Sequence, residues 1–186
     1  MLKKIIIWII LIVVLISGSV AIGIAGIKRY VYPYGYKEIV DKYSEEYELD
    51  PLLVLAVIKT ESDFKQNARS SKGAKGLMQL MDETGALAAS EVGIENFNTE
   101  MLFLPEVNIR LGCWYLDNLT YEFGDLSLVL AAYNGGSGNV TKWLQTPEYS
   151  SNGKELEFIP FKETKKYVDK VKTNYNAYKY FYGKEQ

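Results

Sequence analysis

Twenty-three consecutive residues, from Ile5 to Ile27, contain no charged side chain, and the basic pairs Lys3-Lys4 and Lys28-Arg29 flank them. Inside a hydrocarbon layer every backbone N–H and C=O must find its partner within the protein, so one isolated segment of this kind has to be helical. About 20 apolar residues suffice to cross a bilayer, whereas the apolar part of a cleaved signal peptide is only ~7–15 residues long. The stretch therefore reads as an uncleaved anchor, residues 1–29, although Ser17, Ser19, Ala21 and Gly23 imitate the small residues of a cleavage site. No cysteine stands at its end, which excludes a lipoprotein anchor. The two basic pairs balance, so the positive-inside rule gives no orientation. Tyr30-Val31-Tyr32-Pro33-Tyr34-Gly35-Tyr36 follows as an aromatic interfacial belt and linker, residues 30–36.

Residues 37–186 are enough for one globular domain of ordinary size. From Tyr30 onward the chain carries 17 basic and 23 acidic residues, a formal charge of −6. A negative domain without a long basic run is a poor nucleic-acid binder, so no nucleic-acid partner is expected. Histidine is absent from the whole chain, which removes every Ser-His or Cys-His mechanism and all histidine-based metal sites. No cluster has ligand spacing, so neither a metal nor another cofactor is expected. Cys113, in Leu111-Gly112-Cys113-Trp114-Tyr115-Leu116, suits a small core residue better than a nucleophile. Chemistry must rest on carboxylates, amides and hydroxyls.

The pattern after the linker is mainly α. Ile39, Val40, Tyr43 and Tyr47 recur at helical spacing. A second helix opens at Asp50-Pro51, an N-cap followed by proline at the first helical position, and ends near Ser62. Asn67 to Gly76 reads as a loop with turns. Further helices are predicted over Thr84 to Val92, Pro105 to Phe123 and Leu126 to Tyr133, the last broken by Asn134-Gly135-Gly136-Ser137-Gly138. Gln145 to Glu157 is polar and fits a surface loop or a small β excursion. The final helix starts near Glu163, and its stripe of Tyr167, Val171, Tyr175, Tyr178 and Tyr182 fits a packing face rather than a sugar-stacking one.

Glu61 ends the run Leu52-Leu53-Val54-Leu55-Ala56-Val57-Ile58-Lys59-Thr60-Glu61. A helix apolar nearly all round is buried on most sides. A carboxyl at its edge is partly desolvated, which raises its pKa and favours the protonated form that a general acid needs. The segment alone leaves this reading open beside a plainer one, a solvated glutamate at a frayed helix end. Asp63, two residues on and about 200° round the helix, faces elsewhere as a solvated or capping group.

Three separated segments bear on Glu61. They are Ser70-Ser71-Lys72-Gly73-Ala74-Lys75-Gly76-Leu77-Met78-Gln79-Leu80-Met81, Ala131-Ala132-Tyr133-Asn134-Gly135-Gly136, and Ile159-Pro160-Phe161-Lys162-Glu163-Thr164-Lys165-Lys166-Tyr167-Val168. Together with Glu61-Ser62 their order and spacing resemble the lytic transglycosylases of the soluble-lytic-transglycosylase type, whose catalytic domain is goose-lysozyme-like. The resemblance covers roughly Ile39 to Tyr180. Two positions depart from the family pattern: Asp82 replaces the usual proline after the methionine, and Gly135 the usual alanine after Tyr-Asn. Both bear on local loop geometry rather than on the chemistry.

The resemblance implies a lysozyme-like helical catalytic domain over residues 37–186, preceded by one transmembrane helix. It implies cleavage of the β-1,4 bond between N-acetylmuramic acid and N-acetylglucosamine in peptidoglycan, giving 1,6-anhydromuramic ends. Glu61 would act as acid and then as base. Ser70 and Gln79 resemble positions that hydrogen-bond or position the saccharide, and Met81 a groove-lining position. Tyr133 resembles a tyrosine that approaches the catalytic carboxyl, and Asn134 supports the turn that places it. Glu163 looks like a second buried carboxylate, binding substrate or holding the last helix. The expected partners are glycan strands and the cytoplasmic membrane, with the domain on its extracytoplasmic side. A hydrolytic muramidase and a non-catalytic peptidoglycan-binding scaffold are the competing readings.

Overall fold

The computed structural model describes residues 2–184 and divides into two compact units, Met1–Tyr34 and Gly35–Gln186. The smaller unit is one long helix, α1 (Leu2–Gly26), continued by a π-helical turn at Ile27–Val31. Over Lys3–Val31 it is long and apolar enough to cross a membrane. Its hydroxyls are satisfied internally: Ser17 Oγ donates to the Val14 carbonyl at 3.0 Å and Ser19 Oγ to Leu15 at 2.9 Å. The polar groups that would be costliest in lipid thus have partners within the same helix.

The larger unit consists, among the described residues, of helices and loops without a sheet. Its helices are α2 (Lys37–Glu46), α3 (Pro51–Glu61), α4 (Asp82–Glu91), α5 (Pro105–Phe123), α6 (Leu126–Gly135), α7 (Ser137–Leu144) and α8 (Lys162–Tyr182), with a 3-10 turn at Thr99–Phe103. α3 is the centre. Asp50 caps it, Oδ1 accepting from Leu52 N at 2.8 Å, and all seven residues from Leu52 to Ile58 are buried. At roughly 1.5–3 kcal/mol per large apolar side chain, this run is a major part of the folding drive.

α3 lies along α8, while α6 packs against α5, α7 and α8. Polar ties fix the register of α3 on α8. Asn174 Nδ2 donates to Thr60 Oγ1 at 2.9 Å, Lys170 Nζ to the Thr60 carbonyl at 3.3 Å, and Tyr175 Oη to Asp50. That register sets what Glu61 faces.

The loop from Ser62 to Met81 is folded tightly back on itself, with isolated β-bridges Arg69↔Lys75 and Lys75↔Leu80. Asn108, fully buried on α5, holds it. Its Oδ1 accepts from Met78 N at 2.7 Å, and its Nδ2 donates to the carbonyls of Lys75 (3.0 Å) and Leu102 (2.7 Å). Gly76, at φ +77°, lies so close that a Cβ would sit 2.1 Å from the Leu102 carbonyl oxygen. Only glycine meets both demands.

Both departures from the family pattern have a structural partner. Lys75 is buried, and its ammonium is 2.8 Å from Asp82 Oδ1 and 2.9 Å from Thr99 Oγ1. A buried ammonium needs a carboxylate, and Asp82 supplies it where proline could not. A Cβ at Gly135 would stand 3.1 Å from Thr164 Oγ1, so glycine there lets α6 end close against the start of α8.

One expectation changes, and of the two alternatives for residues 145–157 the surface loop holds. The break after α6 is real, with Gly136 at φ +87°, but α7 begins at once and the break is a corner between helices. No β excursion occurs within 145–157 among the described residues; turns fill it, closed by Glu157 N donating to the Tyr149 carbonyl at 2.9 Å. The β-type pairing sits instead around Lys75, where the glycines let the chain reverse.

Candidate active site

Glu61 is the last residue of α3 and sits half-buried. Burial pushes its carboxyl from the ordinary 4.5 up to about 7, with the Tyr167 hydroxyl and the Lys170 ammonium opposing the rise. Desolvation therefore prevails over two groups that favour the anion. At neutral pH the carboxyl is balanced between its two states.

Tyr167 is the nearest of those groups. It is buried on α8, and among the described residues its hydroxyl has no well-formed hydrogen bond. It nevertheless interacts with the Glu61 carboxylate, at the margin of hydrogen-bonding geometry. Tyr133, on α6, donates from its hydroxyl to the Met78 carbonyl at 2.9 Å and lies against the Tyr115 ring at 5.4 Å. Burial first, and then the Glu61 charge, push both phenols well above their ordinary range. Both stay protonated and neutral beside the carboxyl.

The 70–81 loop carries three candidates. Ser70 Oγ accepts from Ala74 N at 3.0 Å. Gln79 adopts φ +50° and spends its amide N–H groups on the carbonyls of Ala68 (3.1 Å) and Gly76 (2.8 Å). Both side chains brace the loop. Met81 precedes α4 with an exposed side chain, as a groove-lining residue requires.

Asn134 and Glu163 come together on one pocket, with Lys72 and Phe161. Neither matches its expected setting. Asn134 is exposed; the turn after α6 is held by Asn139, whose Nδ2 donates to the Gly135 carbonyl at 2.7 Å. Glu163 is not buried: it occupies the first turn of α8, where a carboxylate meets the positive end of the helix dipole, and pairs with Lys72 at 3.2 Å. Asp63 is exposed and turns to Lys59, whose ammonium holds its carboxyl below the usual range.

Tyr167, Lys170 and Asn108 join the site without a site role in the sequence pattern. Tyr167 was detectable, since it belongs to the Glu163-Thr164…Tyr167-Val168 block, but it also fits the apolar stripe of α8. Cys113 is fully buried, and burial pushes its thiol up, away from the reactive thiolate. Among the described residues no group of three or more His, Cys, Asp or Glu could hold a metal ion. What the arrangement offers is a single near-neutral carboxyl, two neutral phenols and a braced loop, which suits proton transfer to and from one oxygen.

Residues 38–156 match the family described as the transglycosylase SLT domain. The soluble lytic murein transglycosylase of Escherichia coli strain K12 is 32% identical over 155 residues, covering 82% of this chain but 24% of that protein. The membrane-bound lytic murein transglycosylase C of Edwardsiella ictaluri is 38% identical over 120 residues, covering 58% of this chain and 33% of that protein. The crystal structure of the 70 kDa soluble lytic transglycosylase of Escherichia coli superposes with a TM-score of 0.72 at 30% identity, over 82% of this chain and 25% of that one. The chain thus spans about a quarter of the length of the soluble relatives it resembles.

Proposed function

The chain belongs to the transglycosylase SLT domain family, and from that premise we propose that it is a peptidoglycan lytic transglycosylase. It cleaves the β-1,4 bond between N-acetylmuramic acid and N-acetylglucosamine and leaves 1,6-anhydromuramic ends. The observation that carries this reading is one carboxyl, Glu61, at the end of α3 beside the buried phenol of Tyr167, raised by burial to about 7 against the opposing pull of Tyr167 and Lys170. Most glycosidases need two carboxylates flanking the bond. Here the substrate's own C6 hydroxyl replaces the attacking water, so one carboxyl serves. Glu61 gives its proton to the leaving oxygen, then takes the C6 hydroxyl proton as that oxygen closes on C1. The neutral phenols favour the developing charge without competing for the proton. Ser70, Gln79 and Met81 support and line the saccharide groove, and Asn134 and Glu163 line its adjoining pocket.

The helix over Lys3–Val31 supports a single-pass anchor in the cytoplasmic membrane, with residues 30–36 as linker and residues 37–186 as catalytic domain on the extracytoplasmic side, where the substrate is. The test is digestion of purified sacculi by the full chain in detergent, followed by mass spectrometry. Anhydro ends, one water lighter than hydrolysed ones, are expected; fully hydrated reducing ends would make the protein a muramidase instead. The pH dependence is a second check. Glu61 must start protonated, so kcat/KM of the free enzyme falls above about pH 7, approaching tenfold per pH unit. A profile flat to pH 9 would remove Glu61 as the acid.

A further inference from the structure

The pocket lined by Asn134 and Glu163 adjoins the surroundings of Glu61 through both its walls. Asn134 directly follows Tyr133 on α6, and Glu163 stands four residues before Tyr167 on α8, one turn away on the same face. The pocket measures about 440 Å³, within the ~300–1,000 Å³ usual for small-ligand sites. Its lining is mixed: Lys72, Lys162, Asn134, Glu163 and the exposed Phe161, whose ring Trp143 meets edge-on at 4.9 Å.

Lys72 spans the mouth. Its Nζ lies 3.3 and 3.2 Å from the two Glu163 oxygens, and both side chains are 74% exposed. An ion pair that exposed contributes little to folding and opens at low cost. The loop that carries Lys72 is held by its own backbone, Ser70 N donating to the Ala74 carbonyl at 2.9 Å and Gly73 N to Ser70 at 3.1 Å. Opening the pair therefore leaves the loop in place, and the ammonium is free to accept another anion at the same point.

We propose that Lys72 is a specificity residue, which exchanges Glu163 for a carboxylate carried by the glycan and so selects muramyl-containing strands over neutral ones. The inference rests on the transglycosylase reading. The substrate class offers this chemistry at two places: the lactyl carboxyl of muramic acid, free once its peptide is removed, and the carboxylates of the peptide itself. Lys162 lines the same pocket.

The test uses the full chain in detergent carrying Glu61→Gln, so that strands bind without being cut. Dissociation constants are measured for peptide-bearing glycan strands, for strands stripped by an amidase to expose lactyl carboxylates, and for neutral N-acetylglucosamine oligomers. Adding Lys72→Met is expected to weaken binding of carboxylate-bearing strands about three- to tenfold and leave the neutral oligomers unchanged, while Lys72→Arg restores affinity. A loss confined to peptide-bearing strands locates the contact on the peptide carboxylates, a loss confined to stripped strands locates it on the freed lactyl carboxylate, and a loss on both kinds means that Lys72 takes either one. Unchanged binding of both kinds, or an equal loss on neutral oligomers, overturns the proposal. Failure of the transglycosylase reading shows separately, as absence of anhydro products from the unsubstituted chain.

Discussion

Glu61→Gln is expected to lower turnover on sacculi by at least ~10²–10⁴-fold, the usual contribution of a positioned general acid–base, while leaving the fold intact. Glutamine keeps the shape and can donate a hydrogen bond, but it has no proton to give to the leaving oxygen. Its effect on stability carries an independent signature. A carboxyl whose pKa rises from 4.5 to about 7 on folding keeps its proton in the native state while the unfolded chain loses it. Native stability therefore falls as pH rises between those values. The cost of charging Glu61 is absent below pH 4.5 and complete above 7, where at about 1.4 kcal/mol per pH unit it reaches roughly 3 kcal/mol. The variant should match the parent at pH 4.5 and exceed it by up to that amount at pH 8, in urea titrations of the full chain in detergent. Retained lytic activity would end the assignment of Glu61 as acid; equal stability at both pH values would mean that the carboxyl is not desolvated.

Asn108→Leu should be the most damaging single change away from the carboxyl. Leucine is close in size but leaves the Met78 N–H and the Leu102 carbonyl without their Asn108 partner in a fully buried setting, while the Lys75 carbonyl keeps its bond from Leu80 N at 3.0 Å. At ~1–3 kcal/mol for each of the two buried groups left unsatisfied, the loss is about 2–6 kcal/mol, a large part of the ~5–15 kcal/mol of a typical domain. Since Tyr133 hydrogen-bonds the Met78 carbonyl, activity should fall with stability even though Asn108 touches no substrate. An unfolding free energy from urea titration within about 1 kcal/mol of the parent's would show that the loop is held by its own backbone bonds instead.

The helices were legible because their signals are local. Asp50-Pro51 is a cap and a first-turn proline, and the structure starts α3 at Pro51; Pro105 and the glycine after Phe123 bound α5 in the same way. α7 was not legible, because Gly135-Gly136 ends one helix and the next begins without an apolar run long enough to announce it. The settings of Asn134 and Glu163 were missed for another reason. Exposure depends on which element lies opposite, and a position beside a motif does not disclose that.

The available chemistry follows from residue types alone: no histidine, one cysteine, a glutamate at the end of an apolar helix, and glycines where the loop must reverse. Those are properties of residue types and short spacings. The tertiary structure decided which groups act on that glutamate. Asn174 and Lys170 set the register of α8 on α3, and that register brings Tyr167 to Glu61 across more than a hundred residues of chain. Desolvation is a property of everything packed around a group, so the pKa of Glu61, and with it its fitness as an acid, exists only once the helices have closed over it.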